Sequence, residues 1–345
     1  MKFSQAIPAF CFAASAATAH AQSSVQIYGV MDVFTGQIQT TGPGPVKTDT
    51  AVLNSGGMTT SYIGFRGTED LGGGLSAVFS LESFLRVDTG AYGRNDTDPF
   101  WGRLSVVGLE STTWGSITLG RQVTPYSLAT TNYSPFTGST TFSSAFANVF
   151  RGNLQGDTRF NNAVRYRSPS VYGFVADVVG SLGQEIDSGP NRHQGRAVDG
   201  TLRYNGKNWS VITGTRQINL NARDDGRDQK AYMVGGTYDF DLVQVYAQVH
   251  EINERASAPP QKVDRRTYEA GMSIPVGPGQ ILASYGTTRS TDINPVTPER
   301  RNTWAVGYDH YLSKRTDLYA AFYKDVLEKP DSGQRIIAVG MRHRY

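Results

Sequence analysis

The chain has 345 residues, a formal net charge of +3 and a single cysteine, with 39% apolar and 18% charged residues. A balance this close to neutral gives no support for nucleic-acid binding, which usually leaves a basic cluster, and one cysteine excludes a disulfide framework. Glycine (38), tyrosine (18) and phenylalanine (16) are plentiful, and apolar residues stand singly between polar ones, unlike a soluble core built from long Leu and Val runs.

The first segment reads as a targeting signal. Lys2 is the only charge before Gln22, an apolar stretch runs from Ala6 to Ala17, and Ala19-His20-Ala21 follows. A short positive region, an apolar core and an A-x-A site predict cleavage after Ala21 and export, with residues 22–345 as one mature domain. The core is too short for a spanning helix, which needs roughly 20 apolar residues, and no comparable run occurs later. Cys11 lies in this segment, so the mature chain has no thiol chemistry.

After Gln22 the pattern has a period of two. Val25, Ile27, Met31 and Val33 alternate with Gln26, Tyr28 and Asp32. The same holds for Leu75–Glu82, Arg159–Tyr166, Thr267–Ile274 and Ile337–Arg342. In extended chain such alternation separates an apolar from a polar face. In the third of these, Phe160, Val164 and Tyr166 read as lipid-facing, opposite Arg159, Asn161 and Arg165. Leu104 and Val106 also read as lipid-facing, although Leu109 falls on the Arg103 face.

The segments come in pairs joined by short turns: Glu69–Gly74, Thr112–Gly115, Asn205–Asn208, Asp239–Asp241, Pro275–Gly279 and Leu312–Arg315. Longer polar connections lie between pairs: Thr40–Gly57, Asp88–Asp98, Leu182–Ala197, Asn219–Gln229, Ile252–Arg265, Thr287–Glu299 and Asp325–Gly333. Strand starts near Val25, Ser61, Leu75, Phe100, Gly115, Thr158, Tyr172, Ala197, Asn208, Lys230, Leu242, Arg266, Gln280, Arg301, Arg315 and Gln334 predict sixteen strands. An even number, with short turns at one end and long loops at the other, is the pattern of an antiparallel transmembrane β-barrel. Sixteen strands enclose water rather than a filled core. The sheet must close, because lipid leaves no partner for an unpaired backbone group. Trp101, Trp209, Trp304, Tyr308 and Tyr345 suit the interfacial aromatic girdles.

One connection, Val123–Asp157, is far longer than the rest and nearly free of charge. A structureless loop of that length would argue against a compact domain. A loop folded into a wide lumen removes the objection, with Phe142–Phe150 as its helix-compatible piece.

At this point a family becomes recognisable. Ser24–Asp32, Ile63–Leu75, Gly102-Arg103, Val107–Leu109, Thr118–Gln122, Arg159 with Asn161-Asn162, Tyr166 with Ser168-Pro169, Leu312–Ala321 and Val339–Tyr345 stand in the order and spacing of one set of proteins. Over essentially its whole mature length the chain resembles the general diffusion porins of β-proteobacteria. The resemblance implies a homotrimer in the Gram-negative outer membrane, and a third loop folded inward to narrow a pore for small polar solutes and inorganic ions. It also implies that the terminal aromatic, here Tyr345 where most relatives carry Phe, is the outer-membrane assembly signal. Two departures stand out. Tyr62 occupies a position where relatives often carry Arg, and the inward loop has Asp157 as its only acid.

A pore needs no catalytic group and no cofactor; it needs a constriction whose width and charge sort solutes. The resemblance places Arg66, Arg103 and Arg159 on the lumen side near mid-barrel, and parity puts Arg165 on the face of Arg159. Glu82, Tyr126 and Asp157 are further lumen candidates. An Arg-rich wall facing an almost acid-free loop predicts a moderate anion preference. The histidines share no spacing, and no H-E-x-x-H, C-x-x-C or G-x-S-x-G occurs, so an enzyme is not expected. Gly72-Gly73-Gly74 reads as a turn, and the Asp-rich pieces Asp96–Asp98 and Asp224–Asp228 as solvated loop charge rather than metal sites. A substrate-specific channel on the same scaffold is the alternative, and an outer-membrane adhesin or enzyme or a soluble β-sandwich a more distant one. Inward Arg and Glu at mid-strand oppose the sandwich.

Overall fold

The structure, a computed structural model, describes residues 24–42, 44, 47–183, 195–219, 228–257, 260–292, 300–328 and 331–345. The expected signal peptide and its cleavage site, and the middles of several long connections, lie outside the described residues. The elements are β1 (Ser24–Thr41), β2 (Lys47–Ser55), β3 (Tyr62–Gly72), β4 (Leu75–Arg86), β5 (Ala91–Tyr92), β6 (Leu104–Ser111), β7 (Gly115–Val123), α1 (Pro125–Asn132) and α2 (Ser144–Phe150). There follow β8 (Arg159–Arg167), β9 (Phe174–Leu182), β10 (Arg196–Asn205), β11 (Trp209–Asn219), β12 (Asp228–Asp239), β13 (Gln244–Ser257) and β14 (Pro260–Val276). The last four are β15 (Gly279–Asp292), β16 (Arg300–Tyr311), β17 (Thr316–Leu327) and β18 (Ser332–Arg344).

These segments build a closed antiparallel barrel of sixteen wall strands. β2 and β3 are two halves of one strand: β1 pairs with β2 over Val33–Thr41 and with β3 over Ser24–Val30. β5 pairs only with the end of β4, inside a loop. Closure is made by β1 against β18, and beyond that ladder the Tyr345 backbone bonds Gly29 in both directions. Two expected loops are partly strand. Residues 47–55 within Thr40–Gly57 form β2, and most of Ile252–Arg265 is a paired hairpin of β13 and β14.

The alternation sorts side chains between lipid and interior. Outward Val306 and Ile337 are 50% and 53% exposed, while inward Tyr323 and Ile336 are 0% and 2% exposed. Aromatic contacts ring the turn end, where Phe174, Tyr204 and Trp209 stack at 4.8 and 5.1 Å. Parity fails at two places. In β8 the left-handed Asn162 (φ 49) coincides with a register shift in β7 between Gly120 and Gln122. Gly120 takes φ 122 there, where a Cβ would collide with the Ser105 carbonyl. This bulge inserts a residue, so Phe160 points inward with Ala163 and Val179, not to lipid, and Arg159 and Arg165 no longer share a face by count. In β6, Leu104 and Val106 pair with inward Glu82 and Ser80, so they face the interior and Val107 and Leu109 face lipid.

The connection from Thr124 to Thr158 lies inside the barrel. Thr124 caps α1 by accepting from the Ser127 amide, and Ser143 caps α2 by accepting from that of Phe146. α1 packs on β9 to β12, and α2 on β14 to β16. The apolar core is therefore between loop and inner wall. Tyr126, Ala129 and Tyr133 meet Ile212, Met233 and Ile252 in one cluster. Phe136, Phe142 and Ala147 meet Leu282, Tyr323 and Ile336 in another. Each large side chain buried this way contributes about 1.5–3 kcal/mol, which holds the loop against a wall that would otherwise face water.

Candidate pore constriction

Where the inward loop leaves the wall, a gap opens beside β2, β4, β7 and β8. The gap is a cavity of about 440 Å³. Its wall side carries Arg86, Arg94, Arg103, Arg159 and Phe84, and its loop side carries Ser127, Leu128, Thr131, Thr140, Thr141 and Phe146. Among the described residues that line it, four are arginines and none is an acid.

Phe84 organises the cations. Its buried ring has the guanidinium carbons of Arg159 at 4.8 Å, Arg94 at 5.1 Å and Arg103 at 5.8 Å from its centroid. The aromatic face attracts cations, so three like charges gather round one side chain. Arg103 also lies 3.7 Å over the Tyr62 ring. Tyr62, where the family resemblance led us to expect an arginine, is thus a platform for Arg103. Arg103 precedes β6 rather than belonging to it, which frees it from strand parity and lets it ion-pair with Glu82. Glu82 accepts from the Tyr28 hydroxyl at 2.5 Å as well. Arg159 donates to the Arg103 carbonyl at 2.7 Å and to Thr158 Oγ1 at 2.8 Å, and has no acidic partner among the described residues.

The acids sit behind the cations. Arg94 bridges Asp98 at 2.7 Å and Asp157 at 3.0 Å, and Arg121 reaches Asp157 at 2.8 Å. This network ties the loop after β4 to the end of the inward loop. Burial pushes the Asp157 carboxyl up, but the hydrogen bonds and charges of Arg94 and Arg121 outweigh it and hold the group well below the usual carboxylate range. The hydrogen bond from Arg94 likewise depresses Asp98.

The other expected residues lie elsewhere. Arg66 and Arg165 line a separate cavity of about 470 Å³ toward the turn end, together with Glu110 and Gln122. There Arg66 bonds Gln26 at 3.0 Å and Arg165 pairs with Asp177 at 2.5 Å. Tyr126 does not face the passage. It is fully buried behind α1, its amide donating to Asp199 at 2.8 Å and its hydroxyl 2.8 Å from His250 Nδ1.

Sequence reasoning missed Arg86 and Arg94, which lie in or beside a loop without periodicity; the spacing Arg94-x-x-x-Asp98 was the only signal. It also missed the inward bend of residues 56–61. There the buried Asp32 carboxylate accepts the amides of Gly57, Met58 and Thr59 at 3.0, 2.9 and 2.7 Å and the Tyr319 hydroxyl at 2.6 Å. Ser139 and Thr141 of the loop dock on this bend through the Gly57 and Gly56 carbonyls. Glu269 pins the far side, accepting from Ser134 at 2.9 Å and Ser144 at 3.1 Å.

Comparison with known proteins agrees with this architecture. Residues 9–327 match the family model described as Gram-negative porin. An outer membrane porin protein of Bordetella pertussis is 28% identical over 98% of this chain and 99% of its own length. Outer membrane porin protein 32 of Delftia acidovorans is 30% identical over 90% of this chain and 87% of its own. The solved anion-selective porin from Comamonas acidovorans superposes with a TM-score of 0.81 at 25% identity, over 94% of this chain and all of that one.

Proposed function

The chain belongs to the Gram-negative porin family, and from that premise we propose that the gap beneath Phe84 is the constriction of a passive pore with a moderate preference for anions. The protein is an outer-membrane diffusion channel and not an enzyme, as its porin relatives are channels. The charge preference rests on one observation: the narrow passage is lined by Arg86, Arg94, Arg103 and Arg159, faces an uncharged loop surface, and has its carboxylates set back behind the guanidiniums. Rings of cationic side chains in a pore favour anions. The similarity to a porin described as anion-selective supports the same sign.

Arg103 and Arg159 carry this role most directly, and Glu82 and Asp157 tune it by fixing neighbouring cations. Arg66 and Arg165 form a second, partly neutralised step toward the turn end. The remaining parts of the proposal follow the family resemblance: a cleaved signal over residues 1–21, a homotrimer embedded in outer-membrane lipid, long connections facing outward, and Tyr345 as the assembly signal. Liposome swelling with a series of neutral sugars and organic anions tests the reading. Uptake graded by size, with anions ahead of neutral solutes of equal size, supports a general pore. Uptake confined to one chemical class contradicts it and favours a substrate-specific channel.

A further inference from the structure

Toward the turn end, part of the lumen wall is apolar where a water-filled barrel calls for polar side chains. Val78 of β4 and Leu104 and Val106 of β6 face inward, with Val106 opposite Ser80, Leu104 opposite Glu82 and Val78 opposite Gly108. All three are half-buried and line the cavity of about 470 Å³. Elsewhere the inward loop covers the apolar side chains of the inner wall, as at Met233, Ile252 and Leu282. Val78, Leu104 and Val106 belong to no buried apolar cluster among the described residues, and the loop helices pack on β9 to β12 and on β14 to β16 instead. Apolar surface left facing water gains free energy from any apolar group that covers it.

A free cation stands beside this patch. Gln26, Arg66, Ser80 and Val106 follow one another across a single rung of the sheet. With strands about 4.8 Å apart, the Arg66 and Val106 backbones are about 10 Å apart, a gap that a small solute spans. Arg66 Nε donates to Gln26 Oε1 at 3.0 Å, and the guanidinium lies 4.8 Å over the Tyr28 ring. Its terminal nitrogens have no acidic partner among the described residues, and arginine's planar fork matches two carboxylate oxygens at once. The neighbouring charges are engaged or distant. Arg165 is paired with Asp177, and Glu82 is buried and held by Arg103 and Tyr28. Glu110 stands at the turn-end rim, opposite Ser76 and Ser116, four residues and about 13 Å along the strand from Val106.

The two features together select a solute. An inorganic ion gains nothing from the apolar patch, and a neutral sugar gains nothing from the free charge. We propose that this recess is a binding station for amphipathic organic anions, with a carboxylate on Arg66 and an aromatic or aliphatic body over Val78, Leu104 and Val106. A pair of tyrosines links it to the constriction. Arg103 lies over Tyr62, whose ring meets that of Tyr28 at 6.0 Å, and Arg66 lies over Tyr28. A carboxylate leaving Arg103 thus finds its next cation one aromatic pair away. The station names a solute class for the proposed pore and rests on that reading of the barrel.

The test uses the native full-length mature channel in planar bilayers in dilute potassium chloride, with benzoate, acetate and benzyl alcohol as probes. Benzoate is expected to half-block the chloride current at a concentration about fivefold below acetate, the weight of one or two buried methylene-sized contacts. Benzyl alcohol, which has the ring without the charge, is expected not to block. The double variant L104S/V106S is expected to bring benzoate to the level of acetate and leave acetate unchanged, and Val106→Thr, which keeps the side-chain shape, to do so in part. Arg66→Gln is expected to weaken both anions. Unitary conductance steps identify folded barrels. Benzoate no better than acetate on the native channel overturns the proposal, as does benzoate block untouched by either apolar variant, and block by benzyl alcohol equal to that by benzoate overturns the role of Arg66. The zero-current potential in potassium chloride reads the pore's own preference separately. Cation preference with benzoate block retained overturns the proposed selectivity and supports the station; chloride preference with benzoate and acetate equal overturns the station alone.

Discussion

Removing one arginine from the constriction changes a field rather than a contact. Arg159 makes only neutral hydrogen bonds and no ion pair among the described residues, so its charge faces the passage with Asp157 acting on it only from a distance. A unit charge about 6 Å from a passing ion in water-like surroundings is worth about 0.7 kcal/mol. It acts with opposite sign on anion and cation. Arg159→Ala is therefore expected to lower the chloride-to-potassium permeability ratio roughly three- to tenfold at low salt, and less at high salt, where screening shortens its reach. Planar-bilayer reversal potentials check this; an unchanged ratio places Arg159 outside the field of the pore. At this scale the sequence showed the charges but not their society. Arg103 and Arg159 stood out by family spacing, whereas Arg94 and the organising ring of Phe84 did not, because a loop has no period to read and a phenylalanine on a strand reads as lipid-facing or packed.

The element that narrows the barrel is the inward loop, and it is held at both ends by different physics. Its body is held by apolar burial against the far wall, and its end by the ion network of Arg94, Arg121, Asp98 and Asp157. Both carboxyls lie below their unfolded value of about 3.9. Depressed carboxyls stabilise fully above that value, and the contribution is lost only as pH falls through the still lower folded values. The network is therefore complete from neutral pH down to about pH 5, and conductance is expected not to change over that window through this device. Asp157→Asn imitates strong acid at neutral pH: Arg94 and Arg121 lose their shared anchor, and closure is expected at lower applied voltage. A closing voltage equal to that of the native channel shows that the loop is held without the network. Much of this element was visible in advance, since length and lack of charge pointed to an insert in the lumen and Phe142–Phe150 contains α2. The pins were not visible, because Glu269 reaches Ser134 and Ser144 from more than a hundred residues away and Asp32 acts through the bend on which Ser139 and Thr141 dock, and no local pattern encodes such pairings.

For the molecule as a whole, the alternation of side chains separates two solvents, and that is why the barrel was legible in the sequence. Sixteen strands, their turns and most of their starts follow from period two and turn chemistry. The failures lie at the Asn162 bulge, at the inward bend that divides β2 from β3, and in β6, where Leu104 and Val106 face the interior although they are apolar. The lipid face carries its own prediction. Arginine at outward Val306, in the middle of β16, is expected to cost about 2–4 kcal/mol in refolding into vesicles from denaturant. Arginine at lumen-facing Ser80 meets water and is expected to alter selectivity alone; equal losses at the two sites contradict the assignment of faces. The functional account turns on the passage beneath Phe84, which among the described residues presents arginines without acids to the solution. The measurement that tests it most directly is the zero-current potential of the native channel across a tenfold potassium chloride gradient. A potential of the sign set by chloride, large at low salt and shrinking as salt rises, is the predicted result; a potential set by potassium, or none at all, contradicts it.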